Sequence, residues 1–176
     1  MVNKKSTVKS TNTKGFTLIE LVVVILILAI LAAFVLPRFA TLEEDAQRSS
    51  VEATSASFNV GVRNVHLQWN AAGSPGAVQD FIKISDPLVL GDLSVNAAGW
   101  PADTRGVSLT LNSQADCIDV WRAVLASNSE EIDSANGSDY QAIYNGSNRC
   151  TYIYQKNTAF TITYDSNTGV VVSNTP

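Results

Sequence analysis

Residues 14–39, KGFTLIELVVVILILAILAAFVLPRF, decide how this chain folds and where it sits. From Leu21 to Leu36, sixteen consecutive residues carry neither a charge nor a strongly polar group. Counted from Phe16, the run has 21 residues. At ~1.5 Å per residue a helix of that length reaches about 31 Å, the thickness of a bilayer's hydrocarbon core. Lys4, Lys5, Lys9 and Lys14 precede it, so the positive-inside bias leaves the first 15 residues in the cytoplasm and exports everything after Pro37. A cleaved secretory signal wants a shorter apolar core and a small-x-small cleavage site. Arg38-Phe39-Ala40 puts a charge where a small residue belongs. A plain single-span anchor fits the length but leaves Glu20 without a purpose. A carboxylate inside a membrane costs about 3 kcal/mol, less near the interface, and is by default a functional residue.

Lys14-Gly15-Phe16-Thr17-Leu18-Ile19-Glu20 is similar to the prepilin signature of type IV pilins and the related pseudopilins. It combines a charged leader, a glycine, a phenylalanine, an acidic residue shortly after and an unbroken apolar run. The resemblance implies that a membrane peptidase cuts after Gly15 on the cytoplasmic side, that Phe16 becomes the methylated N-terminus, and that Glu20 is required for assembly. Physical chemistry supplies a reason for Glu20. The cut frees an α-amino group, cationic near neutral pH. In low-dielectric surroundings that amine attracts the carboxylate strongly, within one chain or between a new subunit and its neighbour. Between helices in lipid there is little hydrophobic driving force. Once a filament stands in water, withdrawing a subunit would expose the apolar run at a cost of roughly 20–40 kcal/mol as an upper bound. The resemblance implies that disassembly returns subunits to the inner membrane through an assembly platform and an ATPase.

The rest of the composition bounds the function. The 176 residues suffice for one domain. Removing the leader would take away four of twelve basic residues, leaving 8 against 16 acidic ones and a formal charge of −8 in place of −4. That balance lacks the basic footprint of a nucleic-acid binder. Cys117 and Cys150 are the only cysteines, and downstream of an export signal they read as one disulfide enclosing the loop 117–150.

Pro37 interrupts what otherwise reads as one helix to about Trp69, and its missing N–H should kink that helix. The alternative is that the span ends at Pro37 and a separate helix begins. Leu42, Ala46, Ser49, Ala53, Ala56, Val60 and Leu67 form one stripe at helical spacing, and Val51, Phe58, Val62, Val65 and Trp69 a second. Two stripes predict a helix covered by its own head and by neighbouring subunits. Ala71-Ala72-Gly73-Ser74-Pro75-Gly76 stops it. Strands are expected at 107–111, 151–154 and 160–164, with a turn at 165–169 leading into Val170-Val171-Val172. Ser113 should cap a short helix over 114–126, and 127–148 reads as an exposed loop. The expected fold class is α+β, the type IV pilin fold: a leader over 1–15, an apolar half-helix over 16–36, an amphipathic half over 37–71, and a head over 72–176 with an antiparallel sheet.

No enzyme is visible. His66, the only histidine, has no nearby Cys or carboxylate pair and reads as packed or on the surface. A disulfide would remove both a thiol nucleophile and a zinc site. Asp86, Asp92, Glu130, Glu131 and Asp133 do not match a calcium loop, so no metal or cofactor is expected. Trp69, Trp100 and Trp121 read as core residues rather than a sugar-stacking platform. Residues 36–46, LPRFATLEEDA, look like the matching stretch of mannose-sensitive haemagglutinin (MSHA) pilins, and scattered head residues (Gly99-Trp100-Pro101, Asp116 to Trp121) resemble its B-type subunit. The resemblance implies an inner-membrane precursor with a cytoplasmic N-terminus, then an extracellular pilus for adhesion, with surface glycans as a target. A pseudopilin of a type II secretion system is the alternative. The cysteine pair favours the pilus.

Overall fold

The computed structural model describes residues 15–84, 91–106, 108–125, 132–134 and 137–176. The leader up to Lys14, the ring of Pro37, Asp86, Val107, Glu130 and Glu131 lie outside the described residues.

Helix α1 runs without interruption over Leu18–Ala71, through position 37. A reciprocal pair of hydrogen bonds between Thr17 and Glu20 opens it, and a glycine closes it. Gly73, at φ 88°, donates its N–H to Asn70 O (3.0 Å), and Ser74 N–H donates to Trp69 O (3.1 Å). This double closure satisfies carbonyls that the last turn would leave orphaned. The chain divides into two compact units at residue 43/44, inside α1.

In the second unit, α1 packs on a head of two sheets. The first has β1 (Val78–Ile82), β2 (Leu93–Val95) and β3 (Pro101–Asp103), in that order and antiparallel. The second has β4 (Ile132–Asp133), β5 (Tyr140–Tyr144), β6 (Arg149–Tyr154), β7 (Thr161–Asp165) and β8 (Val170–Asn174), in sequence order. All its pairings are antiparallel except β4 with β5, which is parallel. Helix α2 (Gln114–Leu125) lies between β3 and β4 in the chain. The fold class is therefore α+β, the type IV pilin arrangement of a long N-terminal helix and an antiparallel sheet.

The second helical stripe is the one that enters the core. Val51, Phe58, Val62, Val65 and Trp69 are all buried, against Trp121 of α2 and Tyr152, Ile162 and Tyr164 of the sheet. Phe58 stacks on Trp121 at 5.2 Å between ring centres and meets Tyr152 and Tyr164 edge-on at 5.5 and 5.6 Å. Offset and edge-to-face pairs of this kind add about 0.5–1.5 kcal/mol each beyond area burial. At the end of α1, His66 stacks on Trp100 (3.8 Å) and on Trp69 (5.4 Å). Gly99 and Gly169 must be glycine there. Both have positive φ (78° and 69°), and a Cβ would collide with Trp69 and Trp100 respectively.

Two expectations need correction. Residues 108–111 are not a strand: Asp103 accepts the N–H of Arg105 (2.9 Å) and of Ser108 (3.0 Å), and Ser108 Oγ accepts the N–H of Thr110 (3.0 Å). Side-chain acceptors take the backbone donors that a ladder would have used. Nor is 127–148 a loop throughout. It holds β4 and β5, whose Ile132, Tyr140 and Ala142 are core residues.

Candidate functional site

The N-terminus of α1 carries the first site. Thr17 N–H donates to Glu20 Oε2 at 2.8 Å, and the Thr17 hydroxyl donates to the same oxygen at 2.7 Å. Glu20 N–H in turn donates to Thr17 Oγ1 at 3.3 Å. This is a capping box, in which two otherwise orphaned N–H groups are satisfied reciprocally. In a bilayer, where no water is available to unpaired backbone groups, such closure matters more than in solution. Glu20 thus holds hydrogen bonds within its own chain. Sequence reasoning found Glu20 but missed Thr17, although Thr-x-x-Glu ahead of an apolar run is the pattern that signals this cap.

Among the described residues, the stretch of α1 that follows the cap is long and apolar enough to cross a membrane: Leu18–Val35, mean hydropathy 3.2, with none of it buried. Phe16 is 88% exposed. A contiguous apolar surface this large is far beyond what a free soluble protein shows, and it marks a face that lipid or other chains must cover.

The second half of α1 splits cleanly. While the Val51–Trp69 stripe is buried, every member of the other stripe (Leu42, Ala46, Ser49, Ala53, Ala56, Val60 and Leu67) is exposed. Steps of four and three residues keep this seam on one side of the helix, as in helices that pack against a partner helix. Its three alanines and Ser49 let another backbone approach closely. Two cations beside it, Arg48 and Arg63, are engaged within their own chain. Arg48 donates to Thr175 O (2.6 Å) and Pro176 O (2.7 Å) and lies 3.8 Å from Glu44, while Arg63 donates to Asn59 Oδ1 (2.9 Å).

The head is held by the Cys117–Cys150 bond, which ties α2 to β6 with 5.7 Å between the Cα atoms. Both cysteines are fully buried, and Tyr152 OH donates to Cys117 O (3.0 Å). Ser113 caps α2 as expected, and here too the cap is reciprocal. Its hydroxyl accepts Asp116 N–H (3.1 Å), and the Asp116 carboxylate accepts Ser113 N–H (3.0 Å). A charged network was not foreseen: Arg105 Nε donates to Asp119 Oδ2 at 2.6 Å, with the Asp119 side chain 2% exposed. Hydrogen bonding to Asp119 holds the Arg105 guanidinium above its ordinary value, against the opposing effect of burial. Burial pushes the phenols of Tyr152 and Tyr164 well up. Among the described residues no three His, Cys, Asp or Glu side chains converge as metal ligands.

Among the described residues, an unburied helix of membrane-spanning length, an exposed helical seam and a disulfide-tied α+β head define a class, that of proteins with a long apolar N-terminal helix ahead of a folded head. Residues 10–36 match the family profile described as the prokaryotic N-terminal methylation motif. Over 109 residues the chain is 32% identical to the type IV narrow pilus major component PilA5 of Thermus thermophilus, covering 62% of this chain and 87% of that protein. No solved structure is significantly similar. The chain belongs to the type IV pilins, as a structural subunit that assembles with other pilin subunits and not as an enzyme.

Proposed function

We propose that this pilin is the subunit of an MSHA-like type IV pilus that serves surface attachment. In this reading prepilin peptidase cuts after Gly15 and methylates Phe16, and α1 anchors the subunit in the inner membrane with its N-terminus cytoplasmic. A platform and ATPase then drive polymerisation through α1. The carrying observation is the bare apolar surface of Leu18–Val35, continued by the exposed Leu42–Leu67 seam. Lipid covers the first before assembly, and neighbouring helices cover both afterwards. The relative is itself a pilus component, which supports a pilus over a secretion pseudopilus.

The capping box gives the assembly step its chemistry. Before assembly Thr17 supplies the hydrogen bonds of Glu20. On assembly the carboxylate exchanges them for the α-amine of a neighbouring Phe16, an opposite charge in a low-dielectric setting. Thr17 keeps the carboxylate supplied with partners until then.

Mass spectrometry of filaments sheared from cells tests this. A dominant chain starting at methylated Phe16 is expected. Processed protein confined to the cell envelope would point to the pseudopilin, and an intact Met1 would overturn the processing step.

A further inference from the structure

The outward face of the second sheet carries a recess of about 320 Å³ that neither the core nor the assembly helix uses. It is built at one end of the sheet, where register places Arg149 opposite Asp165 and Asp165 opposite Val170, with Thr151 opposite Thr163 in the next row. Asn145, in the β5–β6 turn, completes it. Volumes of this order stand at the small end of ligand pockets.

Its hydrogen-bonding inventory is uneven in a way that selects a ligand. Arg149 Nε donates to Asp165 Oδ2 (2.9 Å), which fixes the guanidinium plane. Both terminal Nη groups have no partner among the described residues, so a flat pair of charged donors is left on a side chain that is 61% exposed. Asp165 Oδ1 is filled by the backbone and side-chain N–H groups of Asn167 (2.9 and 2.8 Å), so it offers little to a ligand. Burial acts to raise the Asp165 carboxyl, but these hydrogen bonds and Arg149 together hold it below its ordinary value, so the orienting charge is present at neutral pH. Asn145 Oδ1 accepts from the Thr151 hydroxyl (2.7 Å), its side-chain amide N–H groups have no partner among the described residues, and Asn145 and Arg149 both line the recess. The hydroxyls of Thr151 and Thr163 spend their hydrogens on Asn145 Oδ1 and Val172 O (3.3 Å), so their lone pairs are open. Val170, 52% exposed, supplies an apolar wall.

Planar charged donors at one end, hydroxyl acceptors along the floor and an apolar wall fit one chemistry. We propose that this recess binds a carboxylate-bearing sugar, a uronate-type unit of a surface glycan, with Arg149 and Asn145 on the carboxylate and the threonines accepting ring hydroxyls. A lone acidic side chain from a neighbouring subunit would occupy the guanidinium but leave most of the volume and both threonines unused. The site stands on its own geometry, and its use in attachment rests on the pilus reading above.

Saturation-transfer NMR on the full-length protein in detergent micelles, titrated with glucuronate and separately with methyl glucoside, tests it. Glucuronate should bind with Kd on the order of 1 mM, the strength of a single small polar ligand, and methyl glucoside should give no transfer. Arg149→Lys should weaken binding about tenfold by losing the two-pronged contact. Val170→Glu, at an exposed position, should abolish the glucuronate signal with an unchanged melting curve. The proposal is overturned by any of four results: no transfer from glucuronate up to about 20 mM, twenty times the expected Kd; equal transfer from both sugars; binding that survives Val170→Glu; or Arg149→Lys lowering filament yield while glucuronate binding persists, which would make the recess a subunit contact. Binding is read on unassembled chains, so the absence of filaments would count against the pilus reading alone.

Discussion

Replacing Cys117 and Cys150 together by alanine should weaken the head by about 5 kcal/mol. The bond closes a loop with a sequence separation of 33 residues. The chain-entropy relation assigns such a loop about 3.8 kcal/mol at 25 °C. Both sulfurs are fully buried, and losing their apolar contacts adds about 1 kcal/mol. The fold should survive, because α2 keeps three other ties to the sheet: Gln114 Nε2 to Ala142 O (2.6 Å), Arg122 Nη2 to Ile132 O (3.0 Å) and Tyr152 OH to Cys117 O (3.0 Å). At about 3 °C per kcal/mol for a chain of this size, the melting midpoint falls by about 15 °C. Near-ultraviolet circular dichroism of the full-length protein in detergent reads this directly, since the rings of Trp121 and Tyr152 meet at 4.5 Å, tilted by 51°, beside the bridge. A loss below about 1 kcal/mol would refute the argument. It would mean that the unfolded chain is already held compact without the bond.

Arg105→Gln should cost about 2–3 kcal/mol, because Asp119 would be left buried without its cation, with the upper range discounted since Arg105 is 40% exposed. A urea midpoint unchanged from wild type would sink that reading. Alkali should destabilise the head. Tyr152 and Tyr164 have raised folded values, so above the ordinary phenol value near 10 the unfolded chain gives up protons that the folded one keeps. Stability is then intact below about pH 10 and falls by about 1.4 kcal/mol per pH unit for each tyrosine. Tyr164→Phe should halve the slope, and an identical slope in that variant would count against it. Thr17→Val keeps the shape of residue 17 but removes its hydroxyl from Glu20, at about 1 kcal/mol of capping. Insertion should be normal and filament yield reduced, with Thr17→Ser restoring it; full yield from Thr17→Val would show the cap to be idle.

Much of the fold was legible because long periodic segments speak clearly. The phase difference between the Val51–Trp69 and Leu42–Leu67 stripes predicted two covered faces, and one of them is buried in the head. Ser113 and Gly73 announced the helix ends by their chemistry. Short elements did not. β2 and β3 have three residues each, all buried, so they offer no alternation to read. β5 was hidden by the Ser, Asn and Asp around it, though its Tyr140 and Ala142 face the core. Conversely, residues 107–111 alternate like a strand, yet Asp103 captures the N–H of Ser108 and the Ser108 hydroxyl that of Thr110. At the candidate site the sequence pointed to Glu20 through its charge in an apolar run. Thr17 carries no charge and passed unnoticed, since its importance lies in a reciprocal bond rather than in composition. The Arg149 recess was invisible for a different reason, because only sheet register brings Asn145, Arg149, Asp165 and Val170 together.

The placement of the three tryptophans gives this pilin a built-in optical readout. Trp121 lies fully buried among Phe58, Tyr140 and Tyr152, whereas Trp69 and Trp100 both stack on the His66 imidazole where α1 ends. Emission from Trp121 follows the melting of the central packing. Emission from the other pair follows fraying at the helix end, where the backbone is closed by Gly73 and the indole N–H of Trp69 reaches Gly76 O (2.7 Å). Single Trp→Phe substitutions would separate the two signals, so the order in which the head loosens can be followed by fluorescence without an attached dye.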